Sequence, residues 1–417
     1  MRRLAVVVVF GVVVGLAVAS SAGSAPVVGD DWQQVGLTFS TAERSDWQGG
    51  AVAMSGSGDS VIVGAWGRHG SARGSGGARV HDWDGDAWVQ RGDDLDGPSS
   101  GAFAGSAVAM NAAGDVVAVG APQASALARH GGQVQVLRWS GSAWVQVGEA
   151  IDGIRADAML GGGVDLDDSG DTLAVSAIGH RWTQVYDWNG ASWRPRGVAL
   201  RGGADNAVAL SADGGSVVIG DSARPSGTVR VHDWDGDRWE PRGATLGWDL
   251  GSYVAFGHSV AISAAGDSIA VGTPSAGAQV FDWRAGSWQR RGGILRDALR
   301  NPLSTGVGTA VALSDDGNTV AYAAPYGSAA DPPTVSVARW NGAGWSSLGV
   351  SLQGGPTRYF GWAIALDADG DRLIVGAPSV VLGDAQVYRY VPPPALPGPS
   401  PTDPPITLPT PTWPGFP

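Results

Sequence analysis

The chain predicts an all-β fold, a closed ring of seven four-stranded blades, and three regularities carry that prediction. One phrase recurs seven times: a glycine, a run of small and branched apolar residues, a Gly/Asp-rich turn and a second apolar run. GSAVAMNAAGDVVAVGAP at residues 105–122 and GWAIALDADGDRLIVGAP at 361–378 are two copies, and the turn glycines are Gly58, Gly114, Gly170, Gly214, Gly266, Gly317 and Gly370. A second phrase alternates with the first and carries paired tryptophans, as in ARVHDWDGDAWVQRGDDLDG at 78–97 and TQVYDWNGASWRPRGVALRG at 183–202. The third regularity is that the two chain ends carry complementary parts of one unit. A period of about fifty residues belongs to propellers or stacked arrays.

From the N-terminus, Arg2 and Arg3 precede an apolar run over 4–19 and then small residues, with cleavage sites after Ala19, Ala22 or Ala25. This is the layout of a secretory signal peptide, expected over 1–25; the run is short for a retained membrane anchor, which needs about 20 residues. No later segment is apolar enough to cross a bilayer. Residues 26–391 are expected to form the ring. In its first unit the strands fall at about 51–55, 60–65, 78–83 and 88–95, with tight Gly/Asp turns between first and second and between third and fourth.

The tryptophan pairs are Trp83/Trp88, Trp139/Trp144, Trp188/Trp193, Trp234/Trp239, Trp283/Trp288 and Trp340/Trp345. A two-residue hairpin loop inside each spacer puts both rings on one sheet face, opposite each other. Regular spacing in every unit reads as packing, the alternative being a row of exposed sugar-binding platforms. A buried tryptophan contributes roughly 4 to 6 kcal/mol gross, which matters in a chain with no cysteine and therefore no disulfides or thiolate chemistry.

The strand count fixes the closure. The first, second and third strands occur seven times, the last third strand being 385–390, and the fourth is missing after Tyr390. Its seventh copy stands at the start, as Trp32-Gln33-Gln34-Val35-Gly36. The N-terminal strand is therefore expected to complete the last blade and remove an open edge. Beyond the ring, 392–417 is rich in proline, threonine and serine, which cannot bury a core. It reads as a disordered tail, either a spacer to a wall or matrix, open to O-glycosylation, or an untethered end.

Alternating strand direction puts the short turns on one face and the long, varied connections on the other, at 66–77, 122–132, 249–256 and 296–306. Variable loops on a rigid scaffold are where binding sites sit. The candidate ligand-binding residues on that face are Arg68, His69, His130, His180, Arg181, Trp182, Arg300, Tyr326, Arg358 and Tyr359. Three of them, His69, His130 and His180, come from equivalent loops, so a zinc site is one reading and solvated histidines the other. His81 and His232 fall inside strands and read as structural. Loop carboxylates Asp94, Asp157, Asp205, Asp249 and Asp297 could supply a glycosidase pair, though no motif joins them. The formal net charge of −12 argues against nucleic acid and anionic membrane as partners.

Phe360-Gly361 and Gly376-Ala377-Pro378 at the two ends of one phrase resemble the FG-GAP repeat of integrin alpha-subunit propellers. Phe256-Gly257 with Gly272-Thr273-Pro274 is a weaker copy, and the likeness runs from about residue 36 to 390. The tryptophan hairpin is an addition to that pattern. The resemblance implies a seven-bladed β-propeller used in extracellular adhesion or recognition, and a calcium loop with alternating acidic residues. Asp367, Asp369 and Asp371 match the start of such a loop, and Asp167, Ser169 and Asp171 match it more loosely. Calcium takes six to eight oxygens, whereas the sequence runs from Asp371 straight into Leu373-Ile374-Val375 where a later ligand would stand. The competing reading is a hairpin turn that favours Asp and Gly. The function expected is a secreted or cell-surface recognition propeller for a glycan or protein, with no obligatory cofactor. The alternatives are a secreted polysaccharide hydrolase or lyase and a structural wall or matrix protein.

Overall fold

A computed structural model describes residues 31–393 except 41–44, 204–206, 224–226, 249–253, 275, 297–304, 329, 356–358 and 380. The expected leader and residues 394–417 of the expected tail lie outside the described residues. The ring lies within the compact unit Asp30–Val391. It is an all-β, seven-bladed propeller. Among the described residues no helix is long and apolar enough to cross a membrane.

Blade 1 pairs Gln48–Met54, Ser60–Ala65, Gly77–Trp83 and Trp88–Gln90 in that order, all antiparallel. The same order repeats through blade 6, which ends on Thr334–Trp340 and Trp345–Ser347. Blade 7 takes Ala363–Leu366, Arg372–Ala377 and Asp384–Val391 from the C-terminal end and Asp31–Gln34 from the N-terminal end. Trp32 stands opposite Tyr390 and Gln34 opposite Tyr388, so the closure expected from the strand count is present.

The second strands, such as Val116–Ala121 and Thr172–Ala177, are buried at every position because neighbouring blades cover both their faces. That is why they read as continuous apolar runs and not as alternation. Apolar clusters then form between blades: Ile62 and Val80 of blade 1 pack with Val108, Val117 and Val119 of blade 2. The last such cluster joins Trp32, Leu352, Phe360, Leu373 and Tyr388 across blades 6 and 7.

The fourth strand departs from expectation. In blade 1 it stops at Gln90 and resumes as Leu95–Asp96, both pieces pairing with the third strand. The cause is Gly92, whose φ of 70° breaks the extended run and lays the backbone against the next blade, where a Cβ would come within 2.8 Å of Trp139.

The tryptophans meet across the hairpins in the expected register, with ring centroids 5.3 Å apart for Trp283/Trp288 and 5.6 Å for Trp188/Trp193. Most remain half-buried, while Trp193 and Trp239 are buried. The second indole of each pair reaches across to the preceding blade and donates to a backbone carbonyl there: Trp88 to Val35, Trp144 to Arg91, Trp193 to Val147, Trp239 to Arg196, Trp288 to Arg242 and Trp345 to Arg291, at 2.8 to 3.0 Å. Trp32 makes the seventh clasp, to Leu348 at 2.7 Å. The pairs therefore join blades more than they fill one.

The FG and GAP ends of the repeated phrase also have a physical role. Gly361 N–H donates to Gly376 O at 2.9 Å, and Gly105 N–H to Gly120 O at 3.0 Å, so the two ends of one phrase meet. A Cβ on Gly376 would lie 2.1 Å from the carbonyl oxygen of Gly49 in the next blade, which only glycine tolerates.

Candidate functional site

The seven first strands surround a central channel, and at the long-loop end it widens into a cavity of about 430 Å³. Every blade contributes. Residues just after the strand-opening glycine line the mouth, among them Gly50, Ser106, His258, Thr309 and Trp362. Repeat alignment on that glycine is the signal that could have found Trp362 and His258, neither of which the sequence reading selected.

Tyr326, Tyr359 and Trp362 form one aromatic cluster at this mouth. Tyr326 lies 6.0 Å from Tyr359 and 6.4 Å from Trp362 between ring centroids, and Tyr359 lies 5.6 Å from Trp362. Each of the three residues is 40% exposed. Their edge-on and tilted packing leaves ring faces open, and large exposed aromatics held by one another are what a recognition surface offers. Burial and the neighbouring Tyr359 raise the Tyr326 hydroxyl pKa.

The other end of the channel is drawn in by the first-to-second turns. Gly56 N–H donates to Ala112 O, Asp168 to Ala212, Ala212 to Ala264, Ala264 to Asp315, Asp315 to Ala368 and Ala368 to Gly56, at 2.9 to 3.1 Å. At the remaining junction Asn111 Nδ2 donates to Asp168 O at 3.4 Å. The Asp168 and Asp315 carboxyls are both raised, first by burial; the charge of Asp315 adds to the shift at Asp168.

The other predicted residues are dispersed. Arg68 is ion-paired with Asp94 and Asp96, and its side chain is only 13% exposed. Arg181, at φ 56°, grips Asp221 with contacts of 2.6 and 2.7 Å. His130 Nδ1 lies 3.2 Å from Asp157, which also pairs with Arg129, and His180 Nε2 lies 3.0 Å from Ala156 O. Trp182 packs on the core between blades 2 and 3. Arg300, Arg358, Asp205, Asp249 and Asp297 lie outside the described residues. Asp94 and Asp157 belong to different blades and separate ion pairs, so they form no carboxylate pair. Burial raises the Asp94 carboxyl, but Arg79, Gln90 and Arg68 outweigh it and hold the pKa below the usual value.

Metal binding is a matter of donor availability. Asp367 Oδ1 accepts from the backbone N–H of Asp371 and Arg372 at 2.9 and 3.0 Å, closing the turn. Ser55, Asn111, Asp167, Ser211, Ser263 and Ser314 do the same in the other six blades. A hydroxyl or amide serves that position as well as a carboxylate, so turn closure accounts for Asp367. Burial pushes Asp367 up to about 6. Among the described residues no three His, Asp or Glu side chains come together as a ligand group.

A second aromatic pocket, of about 400 Å³, lies on the same face where blade 1 meets its neighbours. Trp47 and Trp66 stack in it at 4.7 Å with an interplanar angle of 20°, and Phe103 meets Trp66 edge-on at 5.7 Å. Trp47 and Phe103 hold φ near 55°, as does Met159 at the equivalent point of blade 3, so the conformation belongs to the repeat.

No family model matches the chain, and no curated relative matches it. Solved structures do. The hydrazine synthase of Kuenenia stuttgartiensis superposes with a TM-score of 0.55 at 13% identity, over 80% of this chain and 94% of that one. A putative 6-phosphogluconolactonase from Bacteroides uniformis gives 0.54 at 13%, over 76% and 88%. The chain shares their propeller fold. At such identity the likeness extends to fold alone.

Proposed function

We propose that this is a secreted or cell-surface recognition propeller, of the FG-GAP type found in adhesion proteins, binding an extracellular glycan or protein through its long-loop face. The observation that carries the reading is the exposed Tyr326/Tyr359/Trp362 cluster at the mouth of the central cavity. The Arg2-Arg3 and apolar leader of the sequence supports export. The histidines and carboxylates on this face are spread over blades or engaged in ion pairs, which favours binding over hydrolysis.

The test presents the purified protein to an array of glycans and extracellular matrix proteins. A specific hit whose affinity drops about tenfold or more in Tyr359→Ala and Trp362→Ala is the expected result. Absence of binding across the array, or a hit indifferent to both substitutions, overturns the reading.

A further inference from the structure

We propose that the Trp47/Trp66/Phe103 pocket is a subsite for an acidic sugar, a pyranose bearing a carboxylate. The inference deepens the recognition reading and rests on it, but uses none of the channel-mouth aromatic residues.

The pocket is built for its aromatic content. Gly67 and Gly50 make room for the two indoles: a Cβ on Gly67 would lie 2.3 Å from Ser45 O and 2.8 Å from Trp47, and one on Gly50 would lie 2.8 Å from Trp66 Nε1. Its walls are stitched together from separate connections. Ser100 Oγ and Gly101 N–H both donate to Arg73 O, at 2.8 and 3.1 Å, and Phe103 N–H donates to Gly74 O at 3.3 Å. The site is thus preorganised, which lowers the entropic cost of binding.

The polar groups on the rim decide the ligand class. Gly74 N–H donates to His69 Nδ1 at 3.1 Å, leaving Nε2 to carry the ring proton as a donor. The Arg73 side chain is exposed, and among the described residues no carboxylate lines the pocket. An apolar aromatic floor with polar donors suits a sugar ring, and a guanidinium and an imidazole N–H lining the same pocket suit a carboxylate, which the guanidinium fork can engage with two parallel bonds.

Calorimetric titration of the whole protein with trigalacturonate, and with its methyl ester as the uncharged isostere, tests this. Trigalacturonate should bind, with the ester at least about tenfold weaker, and Arg73→Ala should cost about tenfold while leaving the thermal midpoint unchanged. Tyr359→Ala and Trp362→Ala should leave this binding intact while weakening the array hit about tenfold or more, so failure of one site is distinguishable from failure of the other. Equal binding of acid and ester, indifference to Arg73→Ala, or no binding up to about 10 mM overturns the proposal.

Discussion

Asp165 stands on the innermost strand of blade 3 where the six other blades carry alanine, at Ala53, Ala109, Ala209, Ala261, Ala312 and Ala365. Its Oδ2 accepts from Leu210 N–H of the next blade at 2.8 Å, and burial pushes its pKa up to about 7. A carboxyl raised on folding stabilises the native state below its unfolded pKa, about 3.9, and that contribution is lost as pH rises through 7. Asp165→Asn keeps an acceptor and removes the titration, so the variant should match the parent at pH 4 and exceed it in stability at pH 8; denaturant unfolding at the two values checks this. His81 behaves in the opposite sense. Burial, with the Arg79 charge adding, lowers it to about 4 beside the Phe39 ring. The unfolded chain binds this proton first, so stability falls as pH drops from about 6.5 to 4, by an amount on the order of 3 kcal/mol. His81→Phe should flatten the unfolding free energy across that window, and an unchanged slope would place the proton elsewhere.

The junction between blades is a repeated element with a residue code. All 27 basic residues of the chain are arginine. Four of them, Arg91, Arg196, Arg242 and Arg291, occupy one junction position, where Nη1 donates to the turn glycines Gly114, Gly214, Gly266 and Gly317 at 2.6 to 2.9 Å. Each guanidinium also lies 5.3 to 5.9 Å from the tryptophans of the next blade. A planar fork can stack and donate at once, which lysine cannot. Removing one clasp donor with Trp144→Phe should cost about 1 to 2 kcal/mol, since the Arg91 carbonyl loses its partner. Gly92→Ala should cost more, because it strains a positive φ and drives a methyl into Trp139 and Trp144. Equilibrium unfolding of both variants decides the order. The tryptophan spacing made the hairpins legible in the sequence. The clasp was not, because its acceptor is a backbone carbonyl some fifty positions away and carries no residue signature.

At the scale of the molecule, the ring closes through Trp32, which is 6% exposed, packs beside Tyr390 and bonds Leu348. Stability in repeat folds is the sum of units and their interfaces, so an open ring loses an interface and gains an edge. Trp32→Ala should therefore cost about 3 to 5 kcal/mol in denaturant unfolding, well above the single clasp lost in Trp144→Phe. Equal costs would mean that closure adds nothing beyond a local contact. The channel is asymmetric for a related reason: seven equivalent turns hydrogen-bond to one another at one end, while at the other end the irregular connections leave room for the aromatic mouth.

Sequence by itself determined the blade number, the strand order and the pairing of the two chain ends, because each follows from local turn chemistry and from counting recurring strands. It also placed Tyr326 and Tyr359 on the long-loop face. Only the tertiary structure decided that these two rings meet Trp362 around the channel, that Arg68 and Arg181 are engaged by Asp96 and Asp221, and that Trp47, Trp66 and Phe103 share one pocket. Except for Arg68–Asp96, which lies within blade 1, those contacts bring together segments of neighbouring blades. Their geometry is set by the rotation of one blade against the next, a packing quantity that no local pattern encodes.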